Sequence, residues 1–124
     1  MFEKIRDILT DLLDVDAAKV SPDSYLVRDL AMESIDFLEL AVALNQQFNV
    51  EVHDDTVFLR NLRLDLAQAE EQGIDPLDGL KRSYGFLSDR RLQEIIADLD
   101  AGPAIRVRDL ERYIQWQMRQ SRAA

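Results

Sequence analysis

The chain opens with Phe2, Ile5, Leu9, Leu12 and Leu13 set among charged residues, and this rhythm predicts an amphipathic helix from about Phe2 to Leu13. The rhythm then stops. Ser21-Pro22-Asp23 is turn chemistry, while Val15, Val20, Tyr25, Leu26 and Leu30 predict a long connection pinned onto a helical core. Helical spacing returns from Ser34 to about Phe48. After "NVEVHDD", which reads as a short extended piece, Thr56 is placed to cap a third helix reaching about Gln72. Gly73 and Pro76 end it, and "DPLDGLKRSYGF" reads as a short, glycine-interrupted helical turn. Ser88 then caps a helix through about Leu99 with Leu92, Ile95, Ile96 and Leu99 on one side. Gly102-Pro103 stops that helix, and a last one from about Val107 to Arg119 offers Val107, Leu110, Tyr113, Ile114 and Met118 to a core. The expected fold class is all-α, in one domain spanning residues 1–124.

The segment Ser34–Phe48 carries two apolar stripes instead of one. At about 100° per residue, Phe37, Leu40, Ala41, Leu44 and Phe48 share one face, and Ile35, Leu38 and Val42 share another roughly opposite. The first is a core face. The second, edged by Asp36 and Glu39, has two readings: a helix buried on both sides, or a strip for a partner's groove whose basic rim pairs with the acids. Ser34 also has two readings. It is an N-cap by position, without a capping box because Phe37 stands where Glu or Gln would complete one. A phosphate esterified to it would lie near the first-turn amides and the positive end of the helix dipole.

Composition narrows the classes. The 124 residues carry a net charge of −9 and 47% hydrophobic side chains, enough for a real core, and no cysteine. Divided by region, residues 1–56 carry −9, residues 57–104 carry −3 and residues 105–124 carry +3. Acid concentrated this way repels phosphate backbones and anionic lipid, so nucleic acid is not an expected partner and proteins with basic patches are. No apolar run is long enough to span a bilayer, and "MFEKIRDILTDLLD" lacks the order of a signal peptide. A cytoplasmic protein without a membrane anchor is expected. His53 beside Asp54 and Asp55 reads as a solvated loop instead of a metal site, and a lone histidine leaves little for a serine nucleophile and its base. Trp116, with Tyr113 and Met118, reads as packing.

"DLAMESIDFLELAVALNQQFNVEV" resembles the centre of an acyl carrier protein, where D-L-G-x-D-S-L-D-x-x-E-L precedes an apolar run, a Phe and an alternating Val/Ile segment. Asp29, Leu30, Ser34, Ile35, Asp36, Glu39, Leu40 and Phe48 match their counterparts, and "VSPDSYLVRDL" and "VRDLERYI" resemble flanking family segments. The resemblance covers roughly the first 54 residues and a stretch near 105–116. It implies a four-helix bundle that is no catalyst itself, with 4′-phosphopantetheine attached to Ser34 by a phosphopantetheinyl transferase and an acyl group held on the arm as a thioester. An acyl-loading ligase or acyltransferase and downstream synthases would dock on Glu33, Ile35, Asp36, Leu38, Glu39 and Val42. Phe37, Leu40, Leu44, Phe58 and Leu62 would be candidates for an acyl pocket. The carrier is expected to be a monomer in lipid or secondary-metabolite synthesis.

Three departures stand out. Ala31 and Glu33 replace the pattern's glycine and aspartate. Asn45, Gln46 and Gln47 occupy positions that are commonly acidic, which points to partners outside the general set. The segment 57–104 is an insert of at least two helical patterns where the family has one short helix, with apolar residues enough to pack on the same core. It enlarges the acyl pocket or shapes an enzyme interface. A peptidyl or aminoacyl carrier and an unmodified docking adaptor are the rival functions.

Overall fold

The computed structural model describes residues 1–123, and these are helical with no β-strand among them. Seven α-helices run in the order α1 (Phe2–Leu13), α2 (Ser34–Phe48), α3 (Asp54–Val57), α4 (Leu62–Glu71), α5 (Pro76–Ser83), α6 (Asp89–Ala97) and α7 (Val107–Ala123). Two short 3₁₀ turns, Ala17–Lys19 and Leu99–Ala101, lie in the connections. Helix α1 packs against α2 and α7, and the four-residue α3 lies between α2 and α7. Those four helices form the bundle.

The insert packs onto that bundle. Helix α4 pairs with α5 and α5 with α6, and Leu80, Tyr84, Leu92 and Ile95 join Ile5, Leu9, Leu40, Leu44 and Leu110 in one continuous buried cluster. Gly79 permits the α4–α5 contact, since a Cβ there would stand 2.8 Å from the Ala69 Cβ. Burying each large aliphatic side chain contributes about 1.5–3 kcal/mol, so the insert has its own reason to stay docked.

Polar tethers fix its position at two places. Arg28, in the long connection, donates to the Asp98 carboxylate (2.6 Å), the Asp98 carbonyl (3.2 Å) and the Gly102 carbonyl (2.8 Å), and its guanidinium lies over the Tyr25 ring. Arg91 of α6 grips Asp109 of α7 through Nε (2.9 Å) and Nη2 (2.8 Å) and also donates to the Ala104 carbonyl. Asp109 is 2% exposed and accepts a third bond from the Arg106 backbone N–H at 2.9 Å. A short antiparallel bridge between Tyr25 and Arg106 holds the connection against the chain entering α7.

The structure corrects the third helix. Thr56 does not cap it: Thr56 lies inside α3, the chain breaks over residues 58–61, and α4 begins only at Leu62. Leu59 adopts φ +55° at the break, a left-handed conformation that a branched side chain adopts only where its surroundings impose it. Residues 49–53 do not pair as a strand. The glycine-interrupted turn is a full helix, α5, capped by the Asp75 side chain, which accepts from Leu77 N–H.

Candidate functional site

The sequence places Ser34 at the N-cap, but the structure puts Glu33 there and Ser34 at the first helical position. The difference moves the register of the cap. Counted from Glu33, the third residue is Asp36, whose carboxylate accepts from the Glu33 backbone N–H at 2.8 Å, so an acid does complete the cap that Phe37 could not. The hydroxyl of Ser34 is thereby spared. Ser34 is exposed, and its Oγ has no hydrogen-bond partner among the described residues. The connection reaches this point through Ala31 at φ +56°, the position where the family pattern has glycine, and buried Met32.

Below Ser34 the two stripes of α2 separate. Leu40, Ala41 and Leu44 are buried in the bundle, whereas Ile35, Leu38 and Val42 are 61%, 54% and 57% exposed. The second stripe is therefore an open apolar strip and the doubly buried helix is excluded. Glu33 and Glu39 are exposed and Asp36 half-buried, so the strip has an acidic border at the end where Ser34 stands.

Phe37, one turn after Ser34, faces a cleft of about 360 Å³. Its ring meets that of Phe58 edge-on at a centroid distance of 4.8 Å. Phe58 and Leu59 line the cleft from the α3–α4 break, Leu62 from the start of α4, and Ile95, Leu99 and Ile105 from the insert and the segment leading to α7. Three of the five pocket candidates, Phe37, Phe58 and Leu62, thus meet at one cavity. Leu40 and Leu44 do not line it; both are wholly buried in the bundle core. The insert residues of the far wall were not singled out for the pocket in the sequence, although their helical spacing marked them as apolar.

The residues fit a phosphopantetheine arm. Ser34 is exposed with its hydroxyl unengaged, the N–H groups of Ser34 and Ile35 have no acceptor among the described residues, and an apolar cleft opens one turn away. No cluster of His, Cys, Asp and Glu among the described residues is arranged to hold a metal ion, and His53 lies instead 3.4 Å from the Glu51 carboxylate. No helix of the described residues is long and apolar enough to cross a membrane.

Comparison with known proteins agrees with this geometry. A family profile described as "Phosphopantetheine attachment site" matches residues 3–68, just over half of the chain, and includes Ser34. The acyl carrier protein of the cyanobacterium Picosynechococcus sp. is 44% identical over 55 residues, covering 44% of this chain and 68% of that protein. The acyl carrier protein of Helicobacter pylori is 42% identical over 55 residues, 44% of this chain and 70% of its own length. That of Solidesulfovibrio magneticus is 45% identical over 53 residues, 43% and 68% of the two chains. No solved structure matches the chain. With the bundle, the free serine and these matches together, the chain belongs to the acyl carrier protein family, whose covalent cofactor is 4′-phosphopantetheine.

Proposed function

We propose that Ser34 bears the 4′-phosphopantetheine arm and that the chain presents an acyl group on it, apolar tail in the cleft, to enzymes that grip α2. The observation carrying this reading is the exposed, unbonded Ser34 Oγ one turn from Phe37, a wall of the cleft. When bound, the arm supplies a thiol that holds the acyl group as a thioester, a group this cysteine-free chain lacks. The Ser34 hydroxyl is engaged by no side chain of the described residues, which leaves its proton open to a base supplied by the transferase. The chain contributes position. The two free first-turn N–H groups and the helix dipole favour a phosphate on Oγ, while the Asp36 carboxylate stays engaged by the Glu33 N–H.

Docking falls to the open strip. Ile35, Leu38 and Val42 fit an apolar groove, and Glu33, Asp36 and Glu39 fit a basic rim around it, the surface of a transferase, of a loading ligase or acyltransferase, and of the synthases that follow. Such a contact is brief and weakened by salt, as a carrier requires. The cleft sits near the small end of the ligand-pocket range, about 300–1,000 Å³. That volume suits an acyl tail of moderate length. Ile95 and Leu99 on its far wall favour a pocket role for the insert over an interface role.

The test is mass spectrometry after incubation with coenzyme A and a broad-specificity phosphopantetheinyl transferase. The chain is expected to gain the mass of the arm, and Ser34→Ala to gain nothing. No gain would leave an unmodified docking adaptor, and a gain surviving Ser34→Ala would move the site. Loading acyl groups of increasing length should then shift backbone amide signals of Phe58, Leu62, Ile95 and Leu99; no length-dependent shift would remove the pocket.

A further inference from the structure

We infer that α6 and α7 form a second docking surface, opposite in charge to α2, that takes an acidic segment of a partner protein. The surface has two parts. The first is a groove of about 500 Å³ whose lining includes Arg90 and Arg91 from α6, Arg106 just before α7, and Arg108 and Arg112 from its first turns. Two carboxylates, Glu94 and Asp109, share this lining and Asp23 reaches it from outside, so it retains a surplus of about two positive charges. Asp109 is spent on Arg91, and Asp23 from outside the groove bridges Arg108 (2.8 Å) and Arg106 (3.6 Å). Arg112 has no ion pair among the described residues, and Arg90 has only a distant one, 3.9 Å from Glu94 with its side chain 92% exposed.

The second part extends the groove along α7. At about 100° per residue, Arg108, Arg112, Arg119 and Arg122 fall within an arc of about 80° on one face, with Gln115 among them and Glu111 at the border. Arg108 to Arg122 spans about 21 Å of helix at 1.5 Å per residue. All four are exposed. The result is a continuous cationic stripe in a chain of net charge −9.

Charge and shape choose the occupant. A long polyanion such as duplex nucleic acid, or an anionic bilayer, meets the field of the whole acidic molecule and is repelled by it. A short acidic segment meets mainly what lies within a Debye length, about 8 Å at physiological salt, which here is the stripe. The guanidinium fork is built for carboxylates, and the Arg91–Asp109 and Arg108–Asp23 pairs show the surface already using it that way. A carrier built like this can hold one protein through α7 while presenting α2 to another.

The experiment titrates the full chain with a synthetic helical peptide of about fourteen residues rich in glutamate, the length of the stripe, and with its glutamine counterpart. Calorimetry and backbone amide shifts are followed at about 0.01 M and 0.15 M salt. The glutamate peptide is expected to bind with shifts confined to residues 86–94 and 106–122, to weaken with salt, and to lose about fivefold in affinity for each of Arg112→Gln and Arg119→Gln. Both positions are exposed, so the variants keep the fold. No binding at low salt, binding unchanged by the variants, or shifts centred on α2 would overturn the inference. So would tighter binding of duplex DNA or anionic vesicles, or self-association abolished by the same variants, which would make the occupant a second copy of this chain. None of these outcomes depends on Ser34 or its arm.

Discussion

Removing the Asp109 carboxylate measures how tightly the insert is locked to the bundle. Asp109 is 2% exposed and its oxygens satisfy Arg91 Nε, Arg91 Nη2 and the Arg106 backbone N–H at 2.9, 2.8 and 2.9 Å. In Asp109→Ala the Arg91 guanidinium, itself only 11% exposed, keeps the Ala104 carbonyl and a distant Glu94 oxygen at 3.9 Å. A buried charge stranded in this way costs about 3–5 kcal/mol. Net stability for a domain is about 5–15 kcal/mol, so about a fifth or more of it should vanish. Arg91→Met should cost a comparable amount by stranding Asp109, and the double variant Arg91→Met/Asp109→Ala should cost far less than the two singles together, because it strands no charge. Urea unfolding followed by circular dichroism and by Trp116 fluorescence measures all four proteins; Trp116 sits against Phe86 at a centroid distance of 6.1 Å and reports the same junction. A loss below about 1 kcal/mol in Asp109→Ala, or a double variant as unstable as the sum of the singles, would refute the reasoning.

Three further expectations follow from the same geometry. Ser34→Ala should change stability by less than about 0.5 kcal/mol, since its hydroxyl caps nothing, whereas Asp36→Ala should cost about 0.5–1 kcal/mol by freeing the Glu33 N–H; equal costs in urea titrations would return the cap to Ser34. Ala31→Gly should stabilise by about 0.5–1 kcal/mol, because the left-handed conformation costs a non-glycine residue about 1–2 kcal/mol and the added unfolded-state entropy returns only part of that; a loss on substitution would contradict it. Burial, then the hydrogen bond to Asp65 at 2.7 Å, raises the Tyr84 hydroxyl well above its ordinary value. The folded state therefore keeps a proton that the unfolded state has lost, and the stabilisation is full below about pH 10 and declines as pH climbs beyond it. Alkaline urea midpoints should fall more steeply for the native chain than for Tyr84→Phe, and parallel curves would show that Tyr84 has no part in the decline.

Local signals were strong where one helix face met one core. The 3.6-residue spacing of Phe2, Ile5, Leu9 and Leu13 placed α1 at its observed ends, and Ser88 was read correctly as the cap of α6, accepting from Arg91 N–H at 3.1 Å. The break after Val57 left no such signal: Phe58-Leu59-Arg60-Asn61 contains neither glycine nor proline, yet Leu59 takes a left-handed φ of +55° where it lines the cleft. The cap shifted by one residue because serine is the better intrinsic cap, yet Asp36 reaches the N–H of Glu33 and not that of Ser34. Two apolar faces on α2 could not be ranked from spacing alone, since period says which residues share a side and not which side finds a neighbour. The tethers were beyond reach for a different reason: Arg28 and Asp98 lie 70 residues apart in sequence.

Those tethers grip the insert at the end of α6 and at its start, so the far wall of the cleft is bolted at both ends instead of hinged. A wall held that way resists retreat before a bulkier guest. Under the proposed function the cavity is a gauge of nearly fixed bore, and an acyl tail too long for it would leave its surplus outside.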